Sequence, residues 1–472
     1  MNGLCVTGAL LDRERVGLRA AAGLIEALGP GVRPEPGDET IDADGMLLAP
    51  PFVNGHTHAA MTLFRGFGDD LPLREWLEKK IWPAEAKLEP ADVYWGTRLG
   101  AIEMIRSGTT RFFDMYWHGV EAGRAVVDAG LRATVSAVLI DGLDPKRGER
   151  LRDEALSALD GLAGLGPMIR PSFGPHAIYT VSRESLEWLG GVSRERGIPV
   201  QIHLSETERE VRDCIEAHGM RPAHYLDEIG LLGERAVLAH GVWLDAAELE
   251  LIAERRATVV TNPAANMKLA VGRAFPYPLA AEVGVPLGLG TDGVSSNDNL
   301  DLFEETKLLA LLQKHTARDP SVLPAAEALE IARGRRSPLL GGTPLEPGAP
   351  ADFLLLRADS PALAVGDPDA VIAYAASGDV VDTTVVAGRI EGLAAELHLR
   401  RPRRRSVGVE EDEPERAGDR LAGPLMDRVP DPGAPATARA VQLQVEALVV
   451  AVLLAGRQLG KAGLGPHRGN PI

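Results

Sequence analysis

Two histidines one residue apart, His56 and His58 in the run FVNGHTH, are the first residues of this chain whose types and spacing invite chemistry. In an extended strand alternate side chains share a face, so both imidazoles would point one way and Thr57 the other. Two imidazoles on one face can share a metal ion, although an isolated His-x-His pair is as readily a pair of hydrogen-bonded histidines. Further donors decide between the two. His203, His240 and Asp292 lie at the ends of three short apolar runs, PVQIHL, AVLAHG and VPLGLGTD. Singly, each histidine reads as a satisfied structural residue and Asp292-Gly293 as a turn. At equivalent ends of strand-like runs, all five together read as a metal site. Such a set activates water: neutral imidazoles and a carboxylate suit zinc or ferrous iron, and an open coordination position lowers the pKa of bound water toward about 7.

Side chains so far apart in sequence need a scaffold that brings strand ends together. From His56 to Asp292 short β-branched or apolar runs alternate with longer helix-like stretches, the pattern of βα units around a parallel sheet. The runs are LLAPPFVNGHTH and residues 109–115, 133–141, 169–176, 199–204, 236–241, 257–263 and 285–292. They predict an α/β fold, a (β/α)8 TIM-like barrel, whose chemistry gathers at the C-terminal ends of the strands. Among the connecting segments, ADVYWGTRLGAIEMIRSG predicts a helix from Ala91 that Gly108 stops. Ser182 predicts an N-cap for SRESLEWLGGVSRERG, but Ser185 stands where a capping box needs glutamate or glutamine. Residues 1–48 and 343–394, rich in short strand-like runs and Gly/Pro turns, predict a small β-sandwich domain made from both termini. The barrel is then residues 49–342. Residues 395–472 change character, with LRRPRRR followed by EEDEPE, and predict an atypical, poorly ordered tail.

Composition narrows the partners. The chain has 472 residues, 45% of them hydrophobic, enough for one large and one smaller domain. A formal charge of −17 argues against a nucleic-acid or anionic-membrane partner and for a small-molecule substrate. Cys5 and Cys214 supply neither a disulfide framework nor a cysteine metal site. The N-terminal MNGLCVTGALLDRER lacks a basic start and a long apolar core, so a cytoplasmic protein is expected. The run ALVVAVLLAG is too short to span a bilayer.

The segments FVNGHTHAAMTLFRGFGDDLPLREWLEKKIWPAEAKL, GPHAIYTVS, IHLSETEREV, LAHGVWL, TNPAANMKLA and GTDGVSSNDNLDLFEETKLLALLQK resemble the amidohydrolase superfamily. Within it the chain is most similar to the 5-methylthioadenosine/S-adenosylhomocysteine deaminases, densely over about residues 45–315. The resemblance implies one divalent metal per subunit, usually Zn2+ with Fe2+ or Mn2+ as alternatives, held by His56, His58, His203 and Asp292. A lysine that would bridge two metals is absent from the end of the fourth strand, in keeping with a single ion. It also implies that Glu206 shuttles a proton to the purine ring, that His240 polarises the attacking water and that Asp292 takes the water's proton. Glu85 would accept from the ribose hydroxyls, His176 and Ser296 would contact sugar or purine, and Trp82 and Phe64 would wall the pocket. Asn266 is a weaker candidate.

Each of these has a plainer reading: a helix-opening glutamate, a solvent-facing charge, a buried histidine, a loop serine, or aromatic core packing. One departure stands out. Family arginines that meet the ribose or the amino-acid carboxylate would fall near Ala137, where the strand reads SAVLID, and Arg150 in the following loop is the remaining candidate. The expected activity is hydrolytic deamination of 5'-methylthioadenosine or S-adenosylhomocysteine. The alternatives are a related hydrolase of another heterocycle (guanine, a pterin or a triazine) and an inactive scaffold. By resemblance, barrels of this type also form homo-oligomers.

Overall fold

Eight runs between Phe52 and Gly293 become the parallel strands of a closed barrel in the computed structural model, which describes residues 3–391. The expected tail, with its run ALVVAVLLAG, lies outside the described residues. Seven strands are continuous: Phe52–His58, Thr109–Asp114, Arg132–Leu139, Ile169–Pro175, Val200–Leu204, Ala236–His240 and Thr258–Thr261. The eighth is broken into Leu287–Leu289, paired with the seventh, and Asp292–Gly293, paired with the first. Between the pieces the backbone changes partner: Gly290 N–H donates to Thr261 O at 3.0 Å and Thr291 N–H to His56 O at 3.1 Å. That exchange closes the barrel, and Gly290 permits it. A Cβ there would lie 2.4 Å from Asn262 Oδ1 and 2.7 Å from the His56 carbonyl oxygen.

The helices follow their local signals. Pro90–Arg106 opens on a capping box between Glu89 and Asp92 and ends before Gly108, whose φ of +81° suits a residue without Cβ. Ser182 caps Arg183–Arg196 by accepting from Ser185 N–H at 3.4 Å, and its own hydroxyl donates to Asp141 Oδ2 at 2.6 Å. One end of the barrel interior is filled by Val53, Phe113, Val237, Val260 and Leu340, which leaves the end carrying the histidines as the reactive one.

Both ends of the chain contribute to a second, mixed sheet. Its order is Arg389–Glu391, Val381–Val386, Phe353–Arg357, Met46–Ala49, Leu4–Leu11, Glu14–Ala21 and Leu24–Gly29, with Glu39–Asp42 also paired to Leu4–Leu11. Strand alternation joins this sandwich to the barrel. In Phe353–Arg357, Phe353 and Leu355 enter the sandwich core while Leu354 and Leu356 enter the barrel core. Helix Pro368–Tyr374, within the stretch expected to be all β, places Ile372 and Ala373 in the barrel core. None of the helices among the described residues is long and apolar enough to cross a membrane.

Candidate active site and metal centre

Strand geometry aims most of the site. In Val200–Leu204 the residues Val200, Ile202 and Leu204 pack outward into the core between barrel and helices, so Gln201 and His203 face inward. The first strand needs a correction to simple alternation. Val53 faces the interior, and a Cβ on Gly55 would meet Val260 Cγ2 at 3.0 Å, so both point inward. A register shift between Asn54 and Thr57 then turns His56 and His58 inward as well. His240 also breaks the rule: two residues after the outward Leu238, it enters the cleft through a left-handed backbone, φ +72°. Asp292 (φ +59°) and Ser205 (φ +50°) carry the same strain. Such strain concentrates where side chains must be held in place.

One ligand atom each from His56, His58, His203 and Asp292 lies within 4.8 Å of the others. Asp292 Oδ1 is 3.1 Å from His58 Nε2 and 3.5 Å from His56 Nε2, and the Nε2 atoms of His58 and His203 are 3.3 Å apart. The other ring nitrogens are engaged: His56 Nδ1 with Gln201 Oε1 (2.8 Å), His58 Nδ1 with Met115 O (2.5 Å) and His203 Nδ1 with His176 O (2.7 Å). Donation from each Nδ1–H leaves the Nε2 lone pairs converging on one point. His56 Nε2 is fully buried without a hydrogen-bond partner, which costs free energy unless an ion occupies the centre. Burial pulls His56 down to about 4, keeping it neutral as a ligand must be. Burial also pulls on His58, but hydrogen bonding to Asp292 outweighs it and pushes His58 up to about 9, so an entering ion displaces a proton there. The donor set fits a divalent metal.

Glu206 reaches the same centre. It is buried, two residues before helix Glu208–His218, whose N-cap is Thr207, so it is no solvent-facing opener of that helix. Glu210 fixes it there by accepting from Ser205 N–H at 2.8 Å and from Glu206 N–H at 2.9 Å. Burial, with the Asp292 charge, pushes Glu206 up to about 8, so it holds a proton at neutral pH. Its Oε2 lies 3.9 Å from His240 Nε2. His240 Nδ1 in turn meets Asn266 Oδ1 at 2.8 Å, so Asn266 holds the histidine.

A cleft opens over these groups. Glu85, Trp82 and His176 line it with His58, His203, Glu206, His240 and Asp292. Glu85 accepts from Trp117 Nε1 at 3.2 Å, and His176 Nδ1 lies 2.9 Å from Thr180 Oγ1. Three expected contacts lie elsewhere. Ser296 is buried behind Asp292 and donates to its Oδ2 at 2.7 Å. Phe64 packs on Phe67 in the interior. Arg150 is exposed on helix Pro145–Ala163, where a loop was expected, and does not line the cleft. Gln201, Met115, Trp117, Asn262 and Glu210 were not foreseen. Only the T-x-x-E spacing of Thr207 and Glu210, a capping-box pattern, could have pointed to one of them.

A barrel with three histidines and an aspartate converging beside a protonated glutamate defines a metal-dependent hydrolase. The chain matches the amidohydrolase family over residues 47–390 and belongs to it. It is 49% identical over 354 residues to a 5'-deoxyadenosine deaminase of Methanoregula boonei, covering 74% of this chain and 80% of the relative. It is 41% identical over 393 residues to a 5-methylthioadenosine/S-adenosylhomocysteine deaminase of Thermococcus kodakarensis, covering 82% and 92%. A zinc-bound adenosine deaminase of Xanthomonas campestris superposes with a TM-score of 0.77 at 33% identity, covering 84% and 94%.

Proposed function

We propose that this protein is a hydrolytic deaminase of adenosine nucleosides altered at the 5' position, a group that includes 5'-deoxyadenosine, 5'-methylthioadenosine and S-adenosylhomocysteine. Water adds at the amino-bearing carbon of the purine, ammonia leaves, and the inosine analogue remains. The carrying observation is the placement of a buried Glu206 beside His240 and the four-donor centre. His56, His58, His203 and Asp292 would hold one divalent ion, by our reading zinc. When bound, it supplies Lewis acidity and a water of lowered pKa. Glu206 donates its proton to the ring nitrogen next to the reacting carbon, which makes that carbon electrophilic. His240 holds the attacking water, and Asp292 takes its proton and returns it to the departing amine. Glu85, held by Trp117, receives the ribose hydroxyls, and Trp82 and His176 bound the nucleoside.

The same reading takes residues 1–48 and 343–394 as the sandwich domain and 49–342 as the catalytic barrel. It also expects a cytoplasmic homo-oligomer. A hydrolase of guanine, a pterin or a triazine is less well supported, because Glu85 stands at the cleft where a ribose needs an acceptor. Zinc-reconstituted protein should release ammonia from 5'-substituted adenosines, and Glu206→Gln should lower kcat by about 10³-fold with metal content unchanged. Ammonia from a free base alone would overturn the substrate assignment. Metal far below one equivalent, not restored by added zinc, would favour a scaffold.

A further inference from the structure

The cleft says more about the 5' end of the substrate than about its purine. An arginine of the family pattern would fall near Ala137, but Ala137 and Leu139 pack outward in the core, so neither position can meet a ligand. The residues of this strand end that do face the cleft are Val138 and Ile140. The segment that leads to Glu85 adds Leu73, Trp76, Leu77 and Ile81 to the same lining. Among the described residues no lysine or arginine lines the cleft, and its carboxyl groups are Glu85, Glu206 and Asp292. Of the cations near by on the chain, Arg74 pairs with Glu78 at 2.7 Å and Lys79 with Glu75 at 2.6 Å on the exposed surface, and neither these nor Lys80 line the cleft. The Lys80 stem lies over Gly68.

On the deaminase reading the purine sits at the metal centre and the ribose at Glu85, which leaves the 5' substituent to the rest of the lining, where Val138, Ile140, Leu73, Trp76, Leu77 and Ile81 are apolar. A hydrogen, methyl or thioether group buries there favourably. A carboxylate finds no cation or bidentate donor, and loses the charge-assisted hydrogen bonds that would offset its desolvation.

We infer that this enzyme selects 5'-deoxy and 5'-alkylthio adenosines with small uncharged substituents and discriminates against the zwitterionic S-adenosylhomocysteine. The inference rests on the deaminase reading above.

Steady-state kinetics on the zinc-loaded full chain with 5'-deoxyadenosine, 5'-methylthioadenosine and S-adenosylhomocysteine test it. We expect kcat/KM for the charged nucleoside to be lower by about thirtyfold or more, mainly through KM. Calorimetry on Glu206→Gln, which should bind without turnover, should show the same ratio in Kd. Ile140→Arg, at a half-buried position on the cleft wall, should narrow that ratio by about tenfold by supplying the missing cation. S-adenosylhomocysteine within tenfold of 5'-methylthioadenosine in both kinetics and binding would overturn the selectivity while leaving the deaminase reading intact. No ammonia from any of the three would overturn both.

Discussion

His56 offers its Nε2 to the centre because Gln201 accepts from its Nδ1, 145 residues away in sequence. Pairing on one ring nitrogen sets the tautomer on the other, so a residue that touches no metal governs one that does. Gln201→Leu should therefore weaken metal binding by about 10- to 100-fold with little change in fold, as measured by chelator competition and circular dichroism. Unchanged affinity would show that packing alone orients His56. The donors themselves were legible because they recur together at equivalent ends of strand-like runs, although none is distinctive singly. Their supports were not. Glutamine and asparagine carry no spacing signal, and Gln201 and Asn262 acquire roles only through partners on other strands, while Asn266 was a candidate by resemblance alone.

The eighth strand shows how an element can be foreseen and still differ in its working detail. Its run was expected as one strand, yet the structure splits it at Gly290-Thr291 so that one half pairs with the seventh strand and the other with the first. The split also carries Asp292 to the pairing position opposite Thr57, between the two metal-binding histidines of the first strand. A side chain at Gly290 would press against Asn262 and the His56 backbone at once. Gly290→Ala should lower stability by about 1–3 kcal/mol in denaturant unfolding and reduce bound metal, since relief of the contact moves His56. An unaltered midpoint would mean that the seam is looser than its contacts suggest. His240 and the first-strand bulge belong to the same lesson. Alternation predicts which residues share a face, but a positive φ or an extra residue reverses the facing, and neither is written in residue type alone.

Across the whole molecule, the terminal sheet is a separate sheet from the barrel, but its strand Phe353–Arg357 buries one face in each of the two cores. The sheet has an electrostatic anchor in Asp38. Its nearly inaccessible carboxylate accepts from Arg19 Nε at 2.7 Å and from the Gly3 and Glu35 backbone N–H groups at 2.9 and 2.8 Å. The Arg19 hydrogen bond, then those backbone N–H groups, hold it well below the usual carboxylate range. A carboxylate depressed in the folded state adds stability above its unfolded pKa, near 3.9, and that stability is lost as pH falls through the folded value. Wild-type protein should lose denaturation midpoint on acidification below about pH 4, and Asp38→Asn should remove that component of the slope. Parallel pH profiles for the two would refute the anchor.

The sequence by itself determined the barrel, the terminal sheet and the set of histidine and aspartate donors, because hydrophobic period and chemically distinctive residues are local properties of a chain; Glu206 stood out only through the resemblance to a family. Only the tertiary structure decided that Val138 and Ile140 face the cleft, that Ser296 lies behind Asp292, and that Arg150 stands apart on an exposed helix. Those outcomes depend on strand register, on barrel closure and on which of two faces becomes the inside. Each is set by the packing of segments distant in sequence.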